Sequence, residues 1–242
     1  MSESPLLDEA RGATVSGRLA RLGFTDPSGA ERALDELGLL DAGHVATVTA
    51  LGDAADPDLA LFGLQRLVAA APDGRALLAA LRDGAGLRAR LLGVLGASAA
   101  LIDHLARHPA DWHALADDSV TASRPTLLGL QHSLFGAVGA DVHDELPTAG
   151  GAGQDTLDAL RAAYRCCLLG LAARDLSGAV AVEDVAGELA DLASATLAAA
   201  LAVARAGLPA DAAPCRLAVI SMGKCGGREL NYVSDVDVVF DA

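Results

Sequence analysis

The chain has 242 residues, is 52% hydrophobic but only 3% aromatic, and carries a formal net charge of −14. So acidic a surface argues against nucleic-acid binding as a main role, because neutralising phosphates takes a basic face, and against attraction to anionic lipid for the same reason. The apolar content is mostly Ala, Leu and Val; Ala and Leu lead the helix-propensity ranking, so a mainly α fold is expected.

The four cysteines are Cys166, Cys167, Cys215 and Cys225. They form no C-x-x-C pair and no zinc-ligand spacing, and read as reduced thiols of a cytosolic protein. Met1-Ser2-Glu3-Ser4-Pro5 lacks a basic n-region and a long apolar h-region, so no signal peptide is expected. The longest apolar stretch, Leu192 to Ala204, falls short of the about 20 residues that span a bilayer. The expectation is a cytoplasmic protein with no membrane and no nucleic-acid partner.

In chain order, residues 1–58 are punctuated by Gly, Pro and Asp, with short helices expected around Glu31–Leu37 and Ala42–Ala50. Leu59, Phe62, Leu67 and Val68 predict a helix over Leu59–Ala71, and Pro72-Asp73-Gly74 a turn. Arg75–Leu81 and Leu87–Leu95 read as helices. Ser98 is the expected N-cap of Ala99–Arg107, which Pro109 stops. Pro125–Val138 is helical by the spacing of Leu127, Leu130, Leu134 and Val138. Pro147 and the glycines at 150, 151 and 153 mark a loop over Asp144–Gln154. Two long helices follow, Thr156–Leu176 and Glu183–Ala206, the second ended by Gly207 and Pro209. The period then changes: Arg216–Met222 and Val236–Phe240 are β-prone, with a Gly-rich turn and a single helical turn expected between them. A helical region over 1–212 thus precedes a strand–loop–strand unit over 213–242. A sheet needs more than two strands for independent stability, so this second domain reads as truncated, with an exposed strand edge that predicts poor solubility.

The chemistry sits between those strands. Residues i and i+2 of a strand face the same side, so Asp235 and Asp237 present two carboxylates together. Two adjacent carboxylates repel and call for a cation, and hard oxygen ligands suit Mg²⁺, which also bridges nucleotide phosphates. Gly226-Gly227 permits close backbone approach and is expected to leave N–H groups free for a phosphate. Val236, Val238 and Val239 supply the buried strand that would fix the carboxylates. Gly-Gly followed eight residues later by Asp-x-Asp, bracketed by β-prone runs, matches the logic of polymerase-β-like nucleotidyltransferases.

The full string Met222-Gly223-Lys224-x-Gly226-Gly227-x-Glu229-Leu230-Asn231-x-x-Ser234-Asp235-x-Asp237 closely resembles the signature of glutamine synthetase adenylyltransferases/deadenylyltransferases, in an actinobacterial version by its Cys225 and Tyr232. Leu105-Ala106-Arg107-His108-Pro109, the run Leu160 to Arg165, and Ala172-Ala173-Arg174-Asp175-Leu176 resemble upstream family segments, so the likeness spans roughly residues 60–242. Ser221 departs from the family's usual Gly. The third acidic residue that such folds supply from a later strand lies beyond the sequence, so the chain alone is expected to be inactive or nearly so.

The resemblance implies an α/β nucleotidyltransferase domain begun at 213–242, within an enzyme that removes AMP from a tyrosine of glutamine synthetase by phosphorolysis in its N-terminal half and adds it from ATP in the other. It implies glutamine synthetase as protein substrate, ATP/ADP and phosphate as small ligands, Mg²⁺ as cofactor, and control through the PII signalling protein. On this sequence Asp235 and Asp237 become the catalytic metal ligands, and Gly226, Gly227, Ser234 and Lys224 the phosphate contacts; for Lys224 a solvated lysine stays open. Glu229 and Asn231 are read as holding the loop.

Other polar residues read more plainly. His104, His108 and His113 surround Trp112 without an evident acidic partner and are taken as structural. Arg161 and Arg165, one helical turn apart, either bind phosphate or pair with acids such as Asp158. Asp56, Asp58, Asp117 and Asp118 are taken as solvated turn acids, and Tyr164 as core or interface. Two other functions stay open on the residues alone: a nucleotidyltransferase with another substrate, and a non-catalytic helical interaction module.

Overall fold

The structure, a computed structural model, describes residues 14–117, 123–209, 211–213 and 215–241. The expectations for Met1–Pro5 and Asp118 lie outside them. The chain divides into two compact units, one of residues 14–117 and Ala172–Ser177, the other of Ser123–Leu171 and Gly178 onward.

The first unit is built of short capped helices. They are α1 (Val15–Arg21), α2 (Pro27–Glu36), α3 (Val45–Gly52), α4 (Pro57–Ala70), α5 (Gly74–Asp83), α6 (Ala85–Leu95), α7 (Ala99–Arg107) and α8 (Trp112–Ala116), with 3₁₀ turns at Ala42–His44 and Pro109–Asp111. Thr14, Asp26, Asp56, Asp73 and Ser98 each cap a helix, their side-chain oxygens accepting an N–H of the first turn. Pro27 and Pro57 occupy first-turn positions where no N–H is needed. Helix α4 is central and packs on α2, α3, α5, α6 and α7, burying Ala60, Leu61, Leu64 and Leu67.

Several turn residues do more than face water. Asp56 caps α4, and Asp58 accepts from the Thr25 backbone N–H at 2.9 Å and its hydroxyl at 2.8 Å. His104 is buried and has the acidic partner that the sequence did not reveal: its Nε2 lies 2.8 Å from Asp111 Oδ2. The neighbouring His108 ring lies tilted against it, centroids 4.9 Å apart.

The second unit has α9 (Leu127–Ala137) and two long helices, most of α10 (Gln154–Leu176) and α11 (Val182–Ala206). One core cluster joins Leu130, Leu134 and Phe135 of α9, Leu160 of α10, and Leu192, Ala195, Ala199, Ala202 and Val203 of α11. Small Ala residues let these backbones approach closely. The loop before α10 is pinned to α11, the Ala149 N–H bonding the Ala202 carbonyl at 3.0 Å. By length and composition α11 is apolar enough to cross a membrane, although the sequence suggested a shorter apolar run; half of its most apolar window is buried within the protein, as in a core helix.

After α11 the chain forms β1 (Ala218–Ser221), a single helical turn α12 (Gly223–Gly226) and β2 (Val238–Asp241). The strands pair antiparallel with Ala218 opposite Asp241 and Ser221 opposite Val238. β1 is shorter than expected at both ends, and β2 starts two residues later and ends one residue later than expected. Among the described residues the protein is mainly α, as its composition requires, with only this two-stranded ladder. Ile220 and Val239, paired across it, and Phe240 stay about half exposed or more, at 48%, 49% and 64%.

Candidate functional site

The site is assembled where β1 leaves the ladder. The chain turns at Gly223, whose φ of +53° is left-handed and costs glycine nothing. Gly226 follows because its backbone touches β1: a Cβ there would stand 2.4 Å from the Ser221 carbonyl oxygen. The turn is closed by Gly226 N–H to Met222 C=O and Gly227 N–H to Gly223 C=O, both 2.9 Å.

Those two bonds correct one expectation. The N–H groups of Gly226 and Gly227 are used inside α12 and are not free for a phosphate. The N–H groups ahead of the first bond of the turn are those of Gly223, Lys224 and Cys225. Gly226 is therefore required for close packing rather than as a donor. Lys224 is exposed on the turn and its carbonyl accepts the Glu229 N–H at 2.8 Å, which folds the following loop back onto α12.

Asp235 and Asp237 precede β2, which begins only at Val238, so they are not its first residues. The alternation expected of a strand holds nonetheless: Ser234, Val236 and Val238 are half-buried, and Asp235 and Asp237 are exposed. The ladder extends one step past the strands, the Met222 N–H bonding the Asp237 carbonyl at 2.8 Å. That bond sets the Asp237 carboxylate against the bare α-carbon of Gly223, where an added Cβ would lie 2.9 Å from Oδ2. The structure thus brings Asp237 and the Gly-rich turn together.

What fixes the pair differs in part from expectation. Val236 packs on a small core of Leu171, Val185, Leu189, Ala190, Cys225 and Leu230, whereas Val239 is exposed. The loop is held by Leu230 and Val236 at its two ends, both seated on α11. A second tie is charged. The guanidinium of Arg228 grips Asp191 of α11 through Nη1–Oδ1 at 2.5 Å and Nη2–Oδ2 at 2.9 Å, and Arg124 reaches Asp191 Oδ2 at 2.7 Å. Burial pushes the Asp191 carboxyl up, but the bonds from Arg228 and Arg124 outweigh it and hold the group below the ordinary carboxylate range. Sequence reading missed Arg124, Asp191 and Arg228; the only local signal was an arginine directly after Gly-Gly.

Among the described residues no group of three His, Cys, Asp or Glu side chains is placed to hold a metal ion. Two carboxylates on one exposed face nevertheless fit Mg²⁺, which is commonly held by one or two carboxylates while substrate phosphates complete its shell. Arg161 takes the plainer of its two readings, bonding Asp158 at 2.7 Å with both groups exposed. Arg165 lines an open groove of about 400 Å³ with Leu157, Leu160 and Tyr164, where burial raises the Tyr164 hydroxyl's pKa.

Helical scaffold, glycine turn and paired acids together define a mainly α protein that presents an acid-pair motif in the loop between a glycine turn and its last strand. The chain belongs to the glutamate-ammonia ligase adenylyltransferase family, whose profile matches residues 88–241. It is 52% identical over 227 residues to the bifunctional glutamine synthetase adenylyltransferase/adenylyl-removing enzyme of Streptomyces coelicolor, covering 92% of this chain and 21% of that one. It is also 52% identical to the Streptomyces avermitilis enzyme of the same name over 235 residues, 95% of this chain and 22% of the relative. The Mycobacterium avium enzyme of that name is 46% identical over 233 residues, 92% of this chain and 22% of the relative. The chain therefore spans about a fifth of the length of these relatives.

Proposed function

We propose that this chain carries the adenylyl-removing motif of a bifunctional glutamine synthetase adenylyltransferase/adenylyl-removing enzyme. The observation that supports an AMP-transfer site here is the placement of Asp237 against Gly223, beside Asp235, in a chain of this family, and the removing direction is proposed with it. In the proposed reaction inorganic phosphate attacks the phosphorus of a tyrosine-bound AMP on glutamine synthetase. The P–O bond to tyrosine breaks, the tyrosine oxygen takes up a proton, and ADP leaves.

Asp235 and Asp237 would hold Mg²⁺, which when bound supplies charge neutralisation for the phosphates. The residues of this chain orient the rest. Asp237 is fixed by its backbone bond to Met222, and Val236 keeps both acids turned outward. Lys224, exposed on the glycine turn, is proposed as one phosphate contact, and Ser234, half-buried beside the acids, as another. The site lies on a unit exposed to solvent, and the cytoplasmic setting, the ATP ligand and PII control belong to the same proposal.

The test replaces the corresponding segment of the Streptomyces coelicolor relative with residues 1–242. With adenylylated glutamine synthetase, phosphate and Mg²⁺, the chimera is expected to release ADP. Asp235→Asn and Asp237→Asn are expected to lower that release at least about a hundredfold. Unchanged release in both variants would sink the assignment of the pair.

A further inference from the structure

We infer that Asp191 on α11 is a positioning residue: by clamping Arg228, with Arg124 as second partner, it sets the loop that carries Asp235 and Asp237. The inference rests on the proposed function of that pair but adds a residue lying on another element.

Three observations carry it. Arg228 is the one described non-glycine residue with a left-handed backbone, at φ +60°. A third glycine after Gly226-Gly227 would adopt that conformation without strain, so an arginine here is worth its backbone cost only through its side chain. That side chain makes a two-pronged bond to one carboxylate, the geometry that fixes a guanidinium in both position and plane. The receiving site is also built for it. Asp191 is 7% exposed, and Gly187, one turn earlier, opens the face of α11 across which both guanidiniums lie. A Cβ on Gly187 would stand 3.1 Å from Arg124 Nη2 and 3.4 Å from Arg228 Nη2, and the Gly187 carbonyl accepts from Arg228 at 3.4 Å. Mid-helix glycine is unfavourable by propensity, and the two guanidiniums account for it.

The consequence is a three-point mount. Leu230 and Val236 bury the ends of the loop against Val185, Leu189 and Ala190. These apolar contacts hold the loop down but leave its rotation over α11 open, because they are non-directional. The Arg228–Asp191 fork removes that freedom. It lies two residues before Leu230, on the arm that leads from the glycine turn to the acids. Loss of the fork should let the glycine turn and the acid pair drift apart while the helical core stays intact.

The experiment uses the 242-residue chain and follows amide hydrogen exchange over residues 224–237 beside Mn²⁺ binding by electron paramagnetic resonance. Asp191→Asn and Arg228→Gln are each expected to speed exchange in that segment about tenfold while peptides of α9 exchange as in wild type. The double variant is expected to be no faster than either single one, because the two side chains act as one unit. Asp191→Glu, which keeps the charge and the second acceptor, is expected to recover most of the protection. Mn²⁺ affinity is expected to fall about tenfold in Asp191→Asn, the size of effect that outer partners have on metal ligands. Wild-type exchange in Asp191→Asn, or acceleration spread equally over α9, would overturn the inference. Failure of the wild type to bind Mn²⁺ would instead count against the metal reading of Asp235 and Asp237, and the exchange data would still decide the mount.

Discussion

Gly226 carries the sharpest steric argument in the chain. Alanine there places a methyl 2.4 Å from a backbone carbonyl that cannot swing away, so β1 or α12 must move. Gly226→Ala is expected to cost about 1–3 kcal/mol by urea denaturation, whereas Gly227→Ala, with its nearest atom at 3.3 Å, should cost less than half as much. Asp191 makes an electrostatic prediction. Its carboxyl titrates below the unfolded value, so its stabilisation is complete above about pH 4 and is lost as pH falls through the lower folded value. At neutral pH Asp191→Asn should destabilise by about 1–2 kcal/mol, discounted because Arg228 is half exposed, and the variant should show a shallower loss of stability below about pH 4. Parallel acid limbs for variant and wild type would contradict this. At this scale the sequence was informative for Asp235 and Asp237, because a two-residue spacing declares a shared face. It was silent on Asp191, because Arg228 lies 37 residues away and no local pattern links them. It misread the role of Gly226 and Gly227, whose N–H groups are consumed by the helical turn they form.

The elements follow from capping and period more than from propensity. Ser98 and Pro109 bracket α7 as the sequence indicates, and the Ser98 hydroxyl accepts the Leu101 N–H at 3.3 Å. Ser98→Ala is therefore expected to lower the stability of the first unit by about 1 kcal/mol, measured by urea denaturation, with no change in the second. Two helices were not legible. Helix α1 buries only Val15 and Leu19, and α8 has five residues, too few for a period to register. Helices α10 and α11 were the most legible, because their apolar stripes repeat over more than twenty residues. The ends of β1 and β2 were not, since the ladder is trimmed where the chain bends into α12 and where the acids precede Val238. Half-buried Cys167 of α10, whose thiol is pushed up by burial and by the nearby Glu188, is expected to react slowly with a thiol reagent at neutral pH compared with exposed Cys215.

At the scale of the molecule, the second helical unit ends in a small ladder with exposed apolar residues. Ile220, Val239 and Phe240 on two short strands give an edge on which other chains can pair. The chain is expected to associate with rising concentration in sizing chromatography, and Val239→Lys with Phe240→Lys to keep it monomeric. A monodisperse wild type at all concentrations would contradict that expectation. The net charge of −14 works against non-specific association and leaves the apolar edge as the main route to it. The family was legible in the sequence because its motif is dense in glycines and acids at fixed spacing. The direction of AMP transfer is not written in that motif, and the relatives' name carries both activities.

The most direct measurement is therefore of direction. The chimera carrying residues 1–242 in the Streptomyces coelicolor relative would be given adenylylated glutamine synthetase with phosphate in one reaction, and unmodified glutamine synthetase with ATP in another. The account predicts that Asp235→Asn with Asp237→Asn abolishes ADP release in the first and leaves AMP incorporation in the second unchanged. Loss of AMP incorporation with ADP release intact would contradict it.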